Sequence, residues 1–231
     1  MYGELTGRHT ESAQTIFRRF FIVSVFTIAL AYIESAVVVY LRAIFYPEGF
    51  SFPLARFGIG NSALWKRLLL TEIGREAATL VILLTGSVLS GRNRRQQAAF
   101  FMTIFGVWDI FYYIWLKVLI GWPGSLMDWD ILFLIPVTWA GPVLAPVLVS
   151  VTMLAFAVII LYRDSRGRSL KVSAMGWAGF FLSAVLIIIT FCIGGLGVTG
   201  QDYETYFYWS LFAIGVAAAV VLFSQSLQQG E

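Results

Sequence analysis

Residues 20–42 read FFIVSVFTIALAYIESAVVVYLR, an apolar run interrupted by one acid, Glu34, before it closes on Arg42. A helix rises ~1.5 Å per residue, so about 20 mainly apolar residues cross a hydrocarbon core of ~30 Å. The run is longer than the apolar region of a signal peptide, about 7–15 residues, and no small-residue cleavage site follows it. It is expected to stay in the protein as a membrane-spanning helix. Working outward, runs of similar character recur at about 68–90, 98–121, 131–161, 173–195 and 206–226. The expected fold is all-α: a polytopic membrane protein with six transmembrane helices. A tail at 1–14 precedes a single membrane domain at 15–227.

Composition agrees. Of 231 residues, 59% are hydrophobic, 16% aromatic and only 13% charged, and the mean hydropathy is +0.81. A soluble domain carries about 25% charged residues because water meets it on all sides. A soluble globular domain, a disordered chain and a nucleic-acid binder are thereby excluded. The single cysteine, Cys192, rules out a disulfide framework and Cys-ligated zinc or iron–sulfur sites. The lone histidine, His9, sits in the polar tail, so His-ligated haem, copper and di-iron centres are not expected. No nucleotide-binding loop or hydrolase elbow is present. No cofactor is expected.

The basic residues orient the spans. Arg8, Arg18, Arg19, Arg92, Arg94, Arg95, Arg163, Arg166, Arg168 and Lys171 all fall on one side of a six-span chain. Only Arg56, Lys66 and Arg67 fall on the other. Basic loops stay in the cytoplasm, so both termini are expected there, in the plasma membrane. Trp65, Trp122, Trp129 and Trp209 lie where spans meet the opposite, outer interface. The first outer loop, 47–67, carries Phe50, Phe52 and Phe57 and is expected to lie on the membrane surface.

Seven ionisable residues fall inside expected spans: Glu34, Arg42, Glu72, Arg75, Glu76, Asp109 and Lys117. Each costs ~2.5–3.5 kcal/mol at a helix centre, so they should face the bundle interior and one another. Residues 72, 75, 76 and Thr79 share one helical stripe, and Asp109 shares another with Tyr112 and Tyr113. Counting rise from the outer boundary puts Arg42, Glu72 and Lys117 in the outermost ~6 Å and Asp109 ~18 Å deep. The pattern describes an outward-opening cavity. Arg42 and Lys117 form a charged collar, which with Arg75 can neutralise Glu72 and Glu76, and Glu34 and Asp109 form a floor with no base at its level. Tyr112 and Tyr113 are expected as hydrogen-bond partners of the acids, whereas Trp108 and Trp115 point away as packing residues. An all-oxygen set from Glu34, Glu72, Glu76 and Asp109 suits a hard cation, but Arg75 would repel it, and no metal is expected.

The fourth run, DILFLIPVTWAGPVLAPVLVS, holds Pro136, Pro142 and Pro146. Proline removes a helical hydrogen bond and clashes with the preceding turn, so a kinked or locally unwound fourth helix is expected, with Trp139 as a further cavity wall.

Three functions fit this pattern. The first is a small proton- or cation-coupled carrier, or its permeation subunit, using Glu34 and Asp109. The second is a membrane-embedded enzyme or lipid-binding protein at the outer leaflet. The third is an accessory subunit whose charges serve folding. The partners these imply are the lipid bilayer and a lipid-like or cationic small molecule. A homo-oligomer and a hetero-oligomer are both compatible with the chain.

The orientation is testable in a Cys192→Ala background. Cysteines placed at Arg94 and Arg166 should resist an impermeant thiol reagent in intact cells, and one at Ser125 should react. The reverse pattern would invert the protein.

Overall fold

A computed structural model describes residues 11–46, 49, 63–168, 170–199 and 206–229. The surface segment expected at 47–67 lies outside these residues except for Gly49 and the start of the second helix. His9, Arg8 and most of the expected tail lie outside them too.

Six helices are described: α1 (Ala13–Phe45), α2 (Ala63–Ser90), α3 (Arg94–Ile120), α4 (Leu144–Ser165), α5 (Ala174–Thr199) and α6 (Trp209–Gln228). Five of them, all but α2, are long and apolar enough to cross a membrane. Burial is inverted relative to a soluble protein. Phe21, Ile33, Leu89, Phe181 and Leu182 are exposed, while Glu34, Arg42, Glu76, Gln96, Asp109 and Asp130 are buried. Exposed apolar surface on this scale needs a lipid solvent, and the chain is a membrane-embedded helical protein.

The helices alternate in direction. One end of the bundle is tied by a knot around Gln96, which is 2% exposed. Its amide nitrogen donates to Asp164 Oδ2 at 2.8 Å and Glu11 Oε2 at 3.3 Å. Its oxygen accepts from Arg19 Nη1 at 3.1 Å and the Arg92 N–H at 3.0 Å. Arg19 also pairs with Glu11 and donates to the Ser90 carbonyl at 2.7 Å. Every hydrogen-bonding position of the amide is used, and the ends of α1, α2, α3 and α4 meet there. Above the knot the interior is apolar, with Ile16, Leu83, Phe100, Ile104 and Leu161 at most 1% exposed.

The opposite end carries the main departure from expectation. Residues 131–142 do not form the outer part of a kinked fourth helix. They form a two-stranded antiparallel hairpin, β1 (Trp129–Phe133) and β2 (Trp139–Pro142), pairing Trp129 with Pro142 and Phe133 with Trp139. Two prolines decide this. Pro136 and Pro142 each disfavour helical geometry in the preceding residue and lack the N–H that a helix interior would require. Pro146 falls in the first turn of α4, where the missing donor has no helical partner anyway. The helix therefore begins at Leu144.

Two glycine contacts fix the packing. A Cβ at Gly106 of α3 would meet Ser150 O of α4 at 2.9 Å and Leu154 Cγ at 2.8 Å. A Cβ at Gly195 of α5 would collide with the Thr138 carbonyl of the hairpin. The helices α5 and α6 pack closely on each other, but they meet the α1–α4 block chiefly through β2 and a short α4–α6 contact.

Gly195→Ala should therefore lower the thermal midpoint, by about 1–3 kcal/mol in stability, because the obstacle is backbone rather than a side chain. Gly74→Ala, where nothing lies within 4 Å of the new Cβ, should be neutral or stabilising by up to about 1 kcal/mol. Equal responses in a thermal-shift series would place α5 away from the hairpin.

Candidate functional site

An open cavity of about 220 Å³ lies at the hairpin end, enclosed by α1, α2, α3 and β1. Glu34 and Arg42 reach it from α1, Glu72, Arg75 and Glu76 from α2, Asp109, Tyr112 and Tyr113 from α3, and Asp130 from β1. Of the ten residues expected at the site and its collar, eight converge here.

Helical spacing delivers the α2 set. Arg75 Nε donates to Glu72 Oε2 at 2.9 Å, one turn earlier, and its Nη2 pairs with the same carboxylate. Its Nη1 crosses to Glu34 on α1, whose other oxygen accepts from Thr79 Oγ1 at 3.2 Å. The floor is thus not without a base. A long arginine side chain displaces its charge from the level of its backbone, so depth counted along the helix misplaces the guanidinium.

Glu34 and Asp109 also take separate partners rather than each other. Asp109 Oδ2 accepts from Ser150 Oγ of α4 at 2.7 Å, a contact that the close approach at Gly106 permits. Glu76 turns to the hairpin, accepting from the Leu134 backbone N–H at 2.9 and 3.1 Å. One carboxylate thus satisfies a donor that the loop between the strands leaves outside the ladder.

The collar is half as expected. Arg42 Nη2 lies 3.1 Å from Asp130 Oδ1, and its guanidinium sits 3.9 Å from the Trp122 ring centroid. Tyr112 Oη donates to the other Asp130 oxygen at 3.4 Å. Lys117 belongs elsewhere. It is exposed and donates to the Gly121 and Pro123 carbonyls at 3.0 and 2.8 Å, capping the α3 C-terminus, where a cation opposes the helix dipole. It does not meet Glu72.

Trp139 is also displaced. It lines a second, almost wholly apolar crevice of about 410 Å³ between α3, α4, α5 and α6. Trp108, by contrast, is 6% exposed and forms part of the acidic cavity's wall, with its ring 6.4 Å from that of Tyr112. Trp115 packs between helices, donating to the Ile28 carbonyl at 3.1 Å.

Asp130, 2% exposed, and Ser150, fully buried, were missed by the sequence reading. Asp130 sits two residues after Asp128 in what reads as a polar loop. Its one signal was the acid opening an apolar run, WDILF. Among the described residues no three His, Cys, Asp or Glu side chains form a metal-binding group.

No family model matches this chain, and no curated protein or solved structure is similar to it. The site therefore speaks through its chemistry alone. Among the described residues, five carboxyl groups and two guanidiniums line one cavity. Two of the carboxyls, Glu76 and Asp109, are held by neutral donors.

Breaking the Arg42–Asp130 pair gives a sharp test. Arg42→Met or Asp130→Asn alone should cost up to ~3–5 kcal/mol, while the double substitution should be much milder, because removing both leaves neither partner as an unpaired buried charge. Lys117→Met should be nearly silent in the same thermal assay. Additive losses from Arg42 and Asp130 would argue against the pairing.

Proposed function

We propose that this is a six-span plasma-membrane protein with both termini in the cytoplasm, whose acidic cavity binds the cationic group of a ligand drawn from the outer leaflet. α2 supplies the sixth span, its charges tolerated because they face the cavity. The single observation that carries the reading is the charge of the cavity wall. Among the described residues its carboxyls outnumber its guanidiniums by five to two, and Tyr112, Tyr113 and Trp108 add aromatic faces that attract cations. A membrane-embedded binding protein or enzyme at the outer leaflet fits best, because the Gln96 knot and the apolar core close the other half of the α1–α4 block. No residue is assigned a catalytic step.

A second reading, a proton- or cation-coupled carrier, draws support from Glu76 and Asp109. Carboxyls whose hydrogen bonds come from neutral donors are groups that can exchange a proton for a cationic solute. In that reading the geometry described here is the outward-open state.

The test is purification in native lipid followed by mass spectrometry of what co-purifies. Ammonium-bearing small molecules or lipids should accompany the wild type, and Glu76→Gln with Asp109→Asn should lose them while keeping the unfolding transition. Equal retention by wild type and variant would remove the cavity as the binding site. Proteoliposomes separate the two readings, since a carrier moves the bound cation across the bilayer and a binding protein does not.

A further inference from the structure

The acidic cavity and the apolar crevice share a wall. Asp109, Leu132 and Phe133 line both, so the two spaces lie back to back across β1 and one turn of α3. Phe133 is the divider, with its ring centroid 6.2 Å from Trp108 on the acidic side and 5.6 Å from Trp139 on the apolar side. The crevice extends along α5 from Phe191 to Phe180, about 16 Å at the helical rise. Among the described residues, Asp109 is the sole ionisable one in its wall. A space of that length and polarity fits a hydrocarbon chain.

The two tryptophans add a further requirement. The indole N–H groups of Trp108 and Trp139 have no hydrogen-bond partner among the described residues. A buried N–H without an acceptor is costly, so an acceptor supplied by a ligand is the natural complement. Both residues stand at the divider, where the head of a ligand would give way to its tail.

We infer that the ligand is a single-chain amphiphile, with an ammonium head in the acidic cavity, an acceptor oxygen (ester, ether or amide) beside Trp108 and Trp139, and a hydrocarbon chain in the crevice between α3/α4 and α5/α6, the Phe133 ring turning aside to join the two spaces when the ligand is bound. This rests on the cationic-ligand reading above and specifies its substrate class. The crevice runs between the α3–α4 and α5–α6 pairs, which meet chiefly through β2 and a short α4–α6 contact, so the chain enters sideways from the lipid.

The experiment uses the full chain in zwitterionic-lipid nanodiscs, with dissociation constants corrected for partition into protein-free discs. The probes are tetramethylammonium (head alone), dodecyltrimethylammonium (head and chain), lauroylcholine (head, ester and chain) and laurate (chain with an anion). Affinity should rise in the order tetramethylammonium, dodecyltrimethylammonium, lauroylcholine, each step about tenfold or more, and laurate should not compete. Ala184→Phe, which fills the crevice, should abolish the gain from the chain while leaving tetramethylammonium binding intact, which also shows that the variant is folded. Trp108→Phe should reduce the gain of lauroylcholine over dodecyltrimethylammonium. If tetramethylammonium binds and the chain adds nothing, or Ala184→Phe leaves the gain unchanged, the crevice assignment is overturned and the acidic-cavity reading survives. If none of the ammonium probes binds, both fall.

Discussion

Glu76 and Asp130 hold a β-hairpin inside a helical membrane bundle. Packed among apolar helices, a strand edge has little water to complete its hydrogen bonds, so irregular backbone survives only where protein or a polar cavity satisfies it. Glu76 accepts from the Leu134 N–H, and Asp130 fastens β1 to Arg42 on α1. On the far side, Gly194 and Gly195 let α5 lie directly on the carbonyls of Ala140 and Thr138. Once the hairpin is fixed this way, the rest follows. Its inner strand becomes a wall of the acidic cavity, and its aromatic residues divide that cavity from the apolar crevice.

The polar network is arranged so that three of its charges each join two elements. Arg75 joins α2 to α1, Arg42 joins α1 to β1, and Asp109 joins α3 to α4 through Ser150. A buried ion pair is weak evidence for stability, because desolvation offsets much of the attraction. Its effect is on specificity: in a solvent where leucine gains nothing from meeting leucine, polar contacts and close glycine packing are what select one arrangement of helices. The Gln96 knot does the same at the other end, where four hydrogen bonds on one amide gather the ends of four helices.

The helices were legible because lipid imposes length and apolarity on any segment that crosses it. The convergence of Glu34, Glu72, Arg75, Glu76, Asp109, Tyr112 and Tyr113 was legible for a related reason: ionisable groups in hydrocarbon have nowhere to go but toward one another. The hairpin was not. An apolar run of this length satisfies the spanning criterion whatever its backbone does, and three prolines indicate disruption without saying what replaces the helix. Losing the hairpin meant losing Asp130 and misplacing Trp139. Partner choice was also hidden, since Arg75 selects Glu34 through the reach of its side chain and Lys117 prefers carbonyls at its own helix end.

The glycine-lined seam between α5 and the hairpin has a mechanical consequence. Because α5 is held at its hairpin end by backbone lying on backbone, while the other end of the α5–α6 pair touches α4 only briefly, the pair is anchored at one end like a leaf on its stem. A bulkier residue at Gly194 or Gly195 would therefore shift the whole pair and, with it, the wall of the crevice.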